Sequence, residues 1–108
     1  GSKIDPVFGP FIMFGLGGIY AEAIKDVAFV EVPANKKMVV EMIKRLKSSK
    51  IFEGDRGVKI NYDRLVDTIV KLSNFIYAHK DHVKEIEMNP VIVNEKNVIG
   101  LDALIINY

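Results

Sequence analysis

Cysteine is absent from the 108 residues of this sequence. Without thiols the chain can form no disulfide framework, no thiolate zinc site and no cysteine nucleophile. A reducing compartment is compatible with this composition, so we expect the protein in the cytoplasm.

An excess of charge of one sign is also lacking, because fifteen Lys and Arg residues stand against fourteen Asp and Glu residues. The signs are mixed along the chain, whereas a nucleic-acid surface needs clustered basic side chains. No apolar run approaches the roughly 20 residues that span a bilayer, and no signal-like segment is found. We therefore expect neither a nucleic-acid partner nor a membrane.

Apolar residues make up 49% of the sequence, which is enough for one globular domain with a single core. The chain starts with Gly1-Ser2 and no methionine, as after cleavage of an expression tag, so we expect residues 1–2 to be a tag scar. The prediction is then a single domain over residues 3–108, and the chain can be a piece of a longer protein.

The order of apolar patterns predicts a mixed fold. Residues 11–14 form a short apolar run that enters the glycine-rich stretch 15–18, as a strand entering a loop does, and residues 19–24 and 27–32 can form a hairpin. Helices are predicted after Asn35 and Asp63, because apolar residues recur there at helical spacing. The fold class is therefore α+β or mixed α/β, with a mostly antiparallel sheet covered by two helices.

The last strands form the most informative pattern, because a carboxylate interrupts an apolar stretch. Two such stretches surround the polar turn 94–97, and a register that pairs Val93 with Val98 places Asn89 opposite Asp102, with Cβ atoms about 4.5–5.5 Å apart. Alternation places Glu87 on the same face. Oxygen ligands of this kind suit Mg²⁺. Spacing alone allows a second interpretation, in which Asp102 is hydrogen-bonded to Asn89 as a polar pin in the sheet.

A family resemblance rests on the segment 5–22, DPVFGPFIMFGLGGIYAE, followed by E-x-N-P at 87–90 and L-D-A at 101–103. These motifs, in this order, resemble the ATP-grasp domain of NDP-forming acyl-CoA synthetases. The likeness is strongest to the β subunit of archaeal ADP-forming acetyl-CoA synthetase, and succinyl-CoA synthetase β is a more distant relative. It implies the second half of an ATP-grasp fold, since the half that carries the phosphate-binding lysines and the adenine hinge is missing.

The resemblance also implies a function and a set of site residues. In the family, phosphate passes from an acyl phosphate, through a phosphohistidine on a CoA-binding α subunit or domain, to ADP. Asn89 and Asp102 would hold the Mg²⁺ of the ATP or ADP, and Glu87 would meet the phosphohistidine loop.

Glycines 15, 17 and 18 are further candidates, because glycine lets backbone approach a phosphate. A G-x-G-G run without a following Lys-Ser/Thr is not a P-loop, and such glycines equally suit a turn between strands. An alternative function also remains open: the chain is a non-catalytic structural or self-associating fragment, a homo-oligomer whose acidic patch is only polar filling.

Overall fold

A computed structural model describes residues 1–16, 26–54, 57 and 59–108 of the chain. Along these ranges three strands come first, three helices follow, and four strands close the chain. In chain order they are β1 (Ser2–Asp5), β2 (Gly9–Gly15), β3 (Val27–Glu31), α1 (Lys36–Lys44), α2 (Ser49–Phe52), α3 (Tyr62–Ala78), β4 (Val83–Met88), β5 (Val91–Val93), β6 (Val98–Gly100) and β7 (Ala103–Asn107).

Five of the strands form one sheet in the order β3-β2-β1-β4-β7, and β5 and β6 form a separate two-stranded ladder. Each assigned pairing is antiparallel. The predicted mixed fold with a mostly antiparallel sheet and two covering helices is confirmed, with the one-turn helix α2 added between the two long ones. The predicted partner strand 19–24 lies outside the described residues.

The hairpin of β1 and β2 brings the start of the chain into the sheet. Asp5 Oδ1 accepts hydrogen bonds from the N–H groups of Val7 (2.7 Å) and Phe8 (2.9 Å), and Gly9 completes the turn with a φ of 82°. Ser2 is buried in β1 and pairs with residues of both β2 and β4. Ser2 is thus part of the sheet in this structure, and the origin of residues 1–2 in a tag stays a prediction.

Helix α1 begins where the sequence predicts. The side chain of Asn35 accepts a hydrogen bond of 2.9 Å from the N–H of Met38, as an N-cap residue does. Val39 and Ile43 are fully buried on the face that packs towards β3. The apolar period of this segment therefore identified both the helix and its buried face.

The N-cap of helix α3 lies two residues before the predicted cap Asp63, so that detail of the prediction was wrong. The N-cap is Asn61, whose side chain accepts from the N–H of Arg64 at 3.1 Å, and Asp63 lies in the first turn. Asn61 is also bound through its own N–H to the carbonyl of Asn94 at 2.8 Å. This distant contact holds Asn61 at the helix start, and Asp63 still suits the positive end of the helix.

One face of the five-stranded sheet is covered by the helices and the other face is not. Ile12, Val30 and Ile86 point towards the helices and are buried, while Met13 and Phe29, which pair with each other, are at least one-third exposed on the opposite face. The buried apolar cluster comprises Ile12, Ala28, Val30, Val32, Ala34, Val39, Met42, Ile43, Leu46, Phe52, Leu65, Val66, Ile69, Ile76 and Ile86.

Asp26, just before β3, is a buried carboxylate with a structural task. Its Oδ1 accepts from the N–H of Lys47 at 2.6 Å, and its Oδ2 accepts from the N–H of Ser48 at 2.9 Å. Burial acts to raise the pKa of Asp26, but the hydrogen bonds from Ser48 and Lys47 and the Lys47 charge outweigh it, so the pKa lies below its ordinary value. The carboxylate thereby attaches the start of β3 to the segment between α1 and α2.

None of the helices within the described ranges combines the length and the apolar composition that a membrane crossing requires.

Candidate functional site

The site predicted at Asn89 and Asp102 lies where two ladders of the closing strands meet. The sequence predicts one continuous strand pair, and this was wrong, because β4 pairs with β7 and β5 pairs with β6 in two different sheets. The predicted register is nevertheless confirmed in both ladders. Val93 pairs with Val98 at the turn, and Met88 pairs with Ala103 beyond the break.

Two opposed positions separate the two ladders, Pro90 with Leu101 and Asn89 with Asp102. The N–H of Leu101 donates to the carbonyl of Pro90 at 3.0 Å, which keeps the two chains adjacent, but proline has no N–H with which to return the bond. The Asn89–Pro90 peptide bond is cis. Asn89 and Asp102 occupy the remaining position, between the pair Met88–Ala103 and the pair Pro90–Leu101.

Glu87 lies on the uncovered face of the sheet. Its neighbour Ile86 is buried among the helices and pairs with Ile105, so Glu87 and its partner Leu104 point to the opposite side. Glu87, Asn89 and Asp102 are all exposed. The three oxygen-bearing side chains are therefore accessible to a ligand from solvent.

The polar-pin interpretation does not match the hydrogen bonds of this hairpin. The side chains of Asn89 and Asp102, both described, make no hydrogen bond to each other. In the turn of this hairpin, the side chain of Asn94 accepts hydrogen bonds from the N–H groups of Lys96 (2.9 Å) and Asn97 (2.8 Å). The oxygens of Asn89 and Asp102 are thus not occupied by one another.

The donor set fits a hard cation that shares its ligands with a nucleotide. No group of three His, Cys, Asp or Glu side chains able to hold a metal is found among the described residues. Mg²⁺ does not need such a cage, because it usually takes one or two carboxylates and completes its octahedron with water and phosphate oxygens. Asp102 and Asn89 match that requirement in number and chemistry.

Gly15 has a packing reason for being glycine. It ends β2 opposite Val27, and a Cβ atom there would lie 2.7 Å from the carbonyl oxygen of Asp26 and 2.9 Å from Val27 Cγ1. The close backbone contact that the sequence predicted at Gly15 is therefore a contact with Asp26, just before β3. Gly17 and Gly18 lie outside the described residues, and a nucleotide-binding role for the three glycines stays a prediction.

Sequence reasoning missed the contacts that hold the tip of the β5–β6 hairpin. Arg64 Nη1 donates to the carbonyl of Lys96 at 3.0 Å, and Asn61 N–H donates to the carbonyl of Asn94. These partners are about thirty residues apart and use backbone carbonyls, which leave no trace in residue type. No sequence signal would have identified them.

Comparison with protein families shows that the chain belongs to the ATP-grasp domain family, whose model matches residues 1–106. Among its relatives, the β subunit of ADP-forming acetate–CoA ligase I of Pyrococcus furiosus is 43% identical over 103 residues. That match covers 94% of this chain and 44% of the relative. ADP-forming acetate–CoA ligase of Methanocaldococcus jannaschii is 44% identical over 98 residues, covering 89% of this chain and 14% of the ligase.

Solved structures have the same fold over nearly the whole chain. A crystal structure of a Pyrococcus horikoshii protein gives a TM-score of 0.93 at 38% identity, covering 99% of this chain and 46% of the other. Acetyl-coenzyme A synthetase 1 of Ca. Korarchaeum cryptofilum gives 0.90 at 33% identity, covering 99% and 50%. That enzyme was solved with coenzyme A and Mg-AMPPCP, its phosphohistidine segment pointing towards the nucleotide-binding site. The chain thus spans half or less of the length of these relatives.

Proposed function

We propose that this chain is the magnesium- and nucleotide-binding part of an ADP-forming acyl-CoA synthetase of the acetate–CoA ligase type. The complete protein would transfer phosphate between a phosphohistidine and ADP or ATP. The observation that carries the proposal is the register of the closing strands, in which the pairs Met88–Ala103 and Val91–Gly100 flank Asn89 and Asp102. Relatives about 40% identical are named ADP-forming acetate–CoA ligases, and a structural neighbour was solved with Mg-AMPPCP.

Asn89 and Asp102 would hold the Mg²⁺ of the nucleotide. A bound Mg²⁺ neutralises charge on phosphate oxygens, which is the main requirement of phosphoryl transfer. The contribution of the chain is placement, since the register holds the amide and the carboxylate on opposite strands and leaves both accessible. The backbone around Gly15, Gly17 and Gly18 would approach the phosphates.

Glu87 would act on the phosphohistidine. Its carboxylate can accept a hydrogen bond from a ring N–H of imidazole, which orients the ring so that its other nitrogen faces the phosphate. Glu87 is two residues from Asn89 and on the uncovered face, as this task requires. The histidine would come from a CoA-binding α subunit or domain, and the first half of the ATP-grasp domain would close over the nucleotide.

Substitution of Asp102 tests the proposal in the complete protein that contains this chain. We expect Asp102→Asn to lower kcat by 100-fold or more, a loss of about 3 kcal/mol of transition-state stabilisation, without lowering the unfolding midpoint, because an exposed side chain contributes little to stability. Asp81→Asn, at an exposed position in the turn after α3, is the matched control and should keep full activity. Loss of stability with unchanged kcat would overturn the proposal.

A second candidate, a self-associating structural module, has one specific observation in its favour. Strand β7 is exposed along its whole length at the edge of the sheet and carries Leu104, Ile105 and Ile106. Such an edge is a template for pairing with another strand. Sedimentation of this chain at increasing concentration would reveal a dimer. The cytoplasmic location expected from the sequence stays a prediction.

A further inference from the structure

The tip of the β5–β6 hairpin is attached to the start of helix α3. The two hydrogen bonds described above join Arg64 to the carbonyl of Lys96 and the N–H of Asn61 to the carbonyl of Asn94. The turn is itself closed by the Asn94 side chain and by a bond of 3.0 Å from Asn94 N–H to the carbonyl of Asn97. Helix α3 is therefore attached to a turn whose conformation is fixed by its own hydrogen bonds.

The hairpin is not held by the ladder of the main sheet. Strands β5 and β6 form their own sheet, and between it and the β4–β7 pair lies the position of Asn89 and Asp102. Val93 and Val98 pack against the core next to the turn. The direction of the hairpin is thus set at its far end, about 13 Å along the strand from Asn89 at roughly 3.3 Å per residue.

We propose that Arg64 is a positioning residue for Asn89 and Asp102. By holding the carbonyl of Lys96, its guanidinium sets the angle at which the hairpin leaves the main sheet, and with it the separation of the two side chains at the junction. The expected effect of Arg64 on metal binding rests on the proposed function. Its effect on the angle of the hairpin does not. Arg64 is hydrogen-bonded to the turn of the hairpin and not to Asn89 or Asp102.

Arg64 is a cleaner test of this attachment than Asn61. The side chain of Asn61 caps α3, so its replacement would also disturb the helix start. Asn61 caps the backbone N–H of Arg64, and the variant Arg64→Ala retains that N–H. Arg45 offers a matched control, because its guanidinium also donates to a backbone carbonyl, that of Phe29 in β3, away from the hairpin.

The geometric test compares Arg64→Ala with Arg45→Ala in this chain by NMR residual dipolar couplings. We expect Arg64→Ala to rotate β5–β6 relative to β4–β7 and to shift the amide signals of Asn89, Leu101 and Asp102. Arg45→Ala should leave both unchanged. Shift changes confined to the neighbours of Lys96, with unchanged couplings, would overturn the proposal. Arg64→Lys, which lacks the planar fork, serves the same comparison if the alanine variant fails to fold.

A second arm uses Mn²⁺ as a paramagnetic probe of the same pair. In the unsubstituted chain Mn²⁺ should broaden the signals of Asn89 and Asp102, and Arg64→Ala should raise the apparent Kd about threefold or more. This is less than the roughly 10- to 100-fold typical of groups that touch a metal ligand directly. If the unsubstituted chain shows no broadening at Asn89 and Asp102, the proposed metal site is wrong for this chain. The dipolar couplings then still test the positioning role of Arg64. An unchanged Kd in Arg64→Ala would count against it.

Discussion

The two faces of the five-stranded sheet share one backbone but differ in exposure and in role. On the covered face Ile12 and Ile86 are 2% and 4% exposed, whereas on the uncovered face Met13 and Leu104 are 37% and 54% exposed. Burial of apolar area supplies most folding free energy, so the covered face accounts for stability. The uncovered face, which carries Glu87, retains apolar and charged groups that a ligand or a partner can contact. The comparison predicts that stability and binding respond to different substitutions.

The largest effect is expected from breaking the covered face at Ile12. Ile12→Ala should lower the free energy of unfolding by about 2–5 kcal/mol, because it removes buried area and leaves a cavity. Its neighbour Met13 points to the uncovered face, and Met13→Ala should cost less than about 1 kcal/mol. Urea denaturation of both variants measures the difference. Similar losses would show that the two faces are not distinct in energy.

Gly15→Ala should have the next largest effect. The added Cβ would lie 2.7 Å from the backbone oxygen of Asp26, so β2 and β3 would have to separate, at a cost of about 1–3 kcal/mol. Gly100→Ala in β6 is the matched control, since its Cβ would meet the flexible side chain of Met88, with Sδ at 3.4 Å and Cγ at 4.0 Å. Thermal unfolding of both variants gives the comparison. An equal Tm for Gly15→Ala and the unsubstituted chain would remove the packing explanation of this glycine.

Asp26→Asn should lower stability at neutral pH by about 1–2 kcal/mol, as expected for a hydrogen bond to a charged acceptor. Because its folded pKa is lowered, the stabilisation by Asp26 is fully present above the ordinary value of 3.8 and is lost as the pH falls through the folded pKa. The difference between the two chains should therefore shrink below pH 3.8.

Urea midpoints measured from pH 7 down to pH 2 would test this. Asp5→Asn offers a comparison at an exposed turn, where hydrogen bonds from Phe8 and Val7 also lower the pKa of the carboxyl. A difference between Asp26→Asn and the unsubstituted chain that stays constant down to pH 2 would contradict the assigned role of the Asp26 charge.

The smallest effect on stability is expected on the uncovered face at Leu104. Leu104→Ser should change the free energy of unfolding by no more than about 0.5 kcal/mol, because the side chain is already more than half exposed. If β7 pairs with a second copy, the same substitution should weaken the dimer, which analytical ultracentrifugation would detect. A loss of monomer stability comparable to that of Ile12→Ala would show that Leu104 is buried in solution.

Local patterns predicted much of this fold because they report interactions within a few residues. The cap at Asn35 and the buried positions of α1 follow from helical spacing, and the register of the last strands follows from the turn around residues 94–97. The site pair was predicted for the same reason, since strand pairing transmits the register from the turn to Asn89 and Asp102.

Long-range contacts account for the rest. Asn61 rather than Asp63 caps α3, because the Asn61 N–H donates to the carbonyl of Asn94, and the closing strands divide into two ladders at Pro90. Ser2 joins the sheet because β2 and β4 both offer it partners. None of these contacts changes the local pattern of residues, so none was predicted.

The sequence by itself determined the α+β class, the register of the closing strands and the residue types available for a metal. Only the tertiary structure decided which face of the sheet stays uncovered, that Glu87 lies on it, and that Arg64 binds the tip of the β5–β6 hairpin. The physical reason is the distance along the chain over which each interaction acts. Side-chain periodicity and turn chemistry act over a few residues, whereas burial and hydrogen bonds to distant backbone carbonyls depend on which elements pack together.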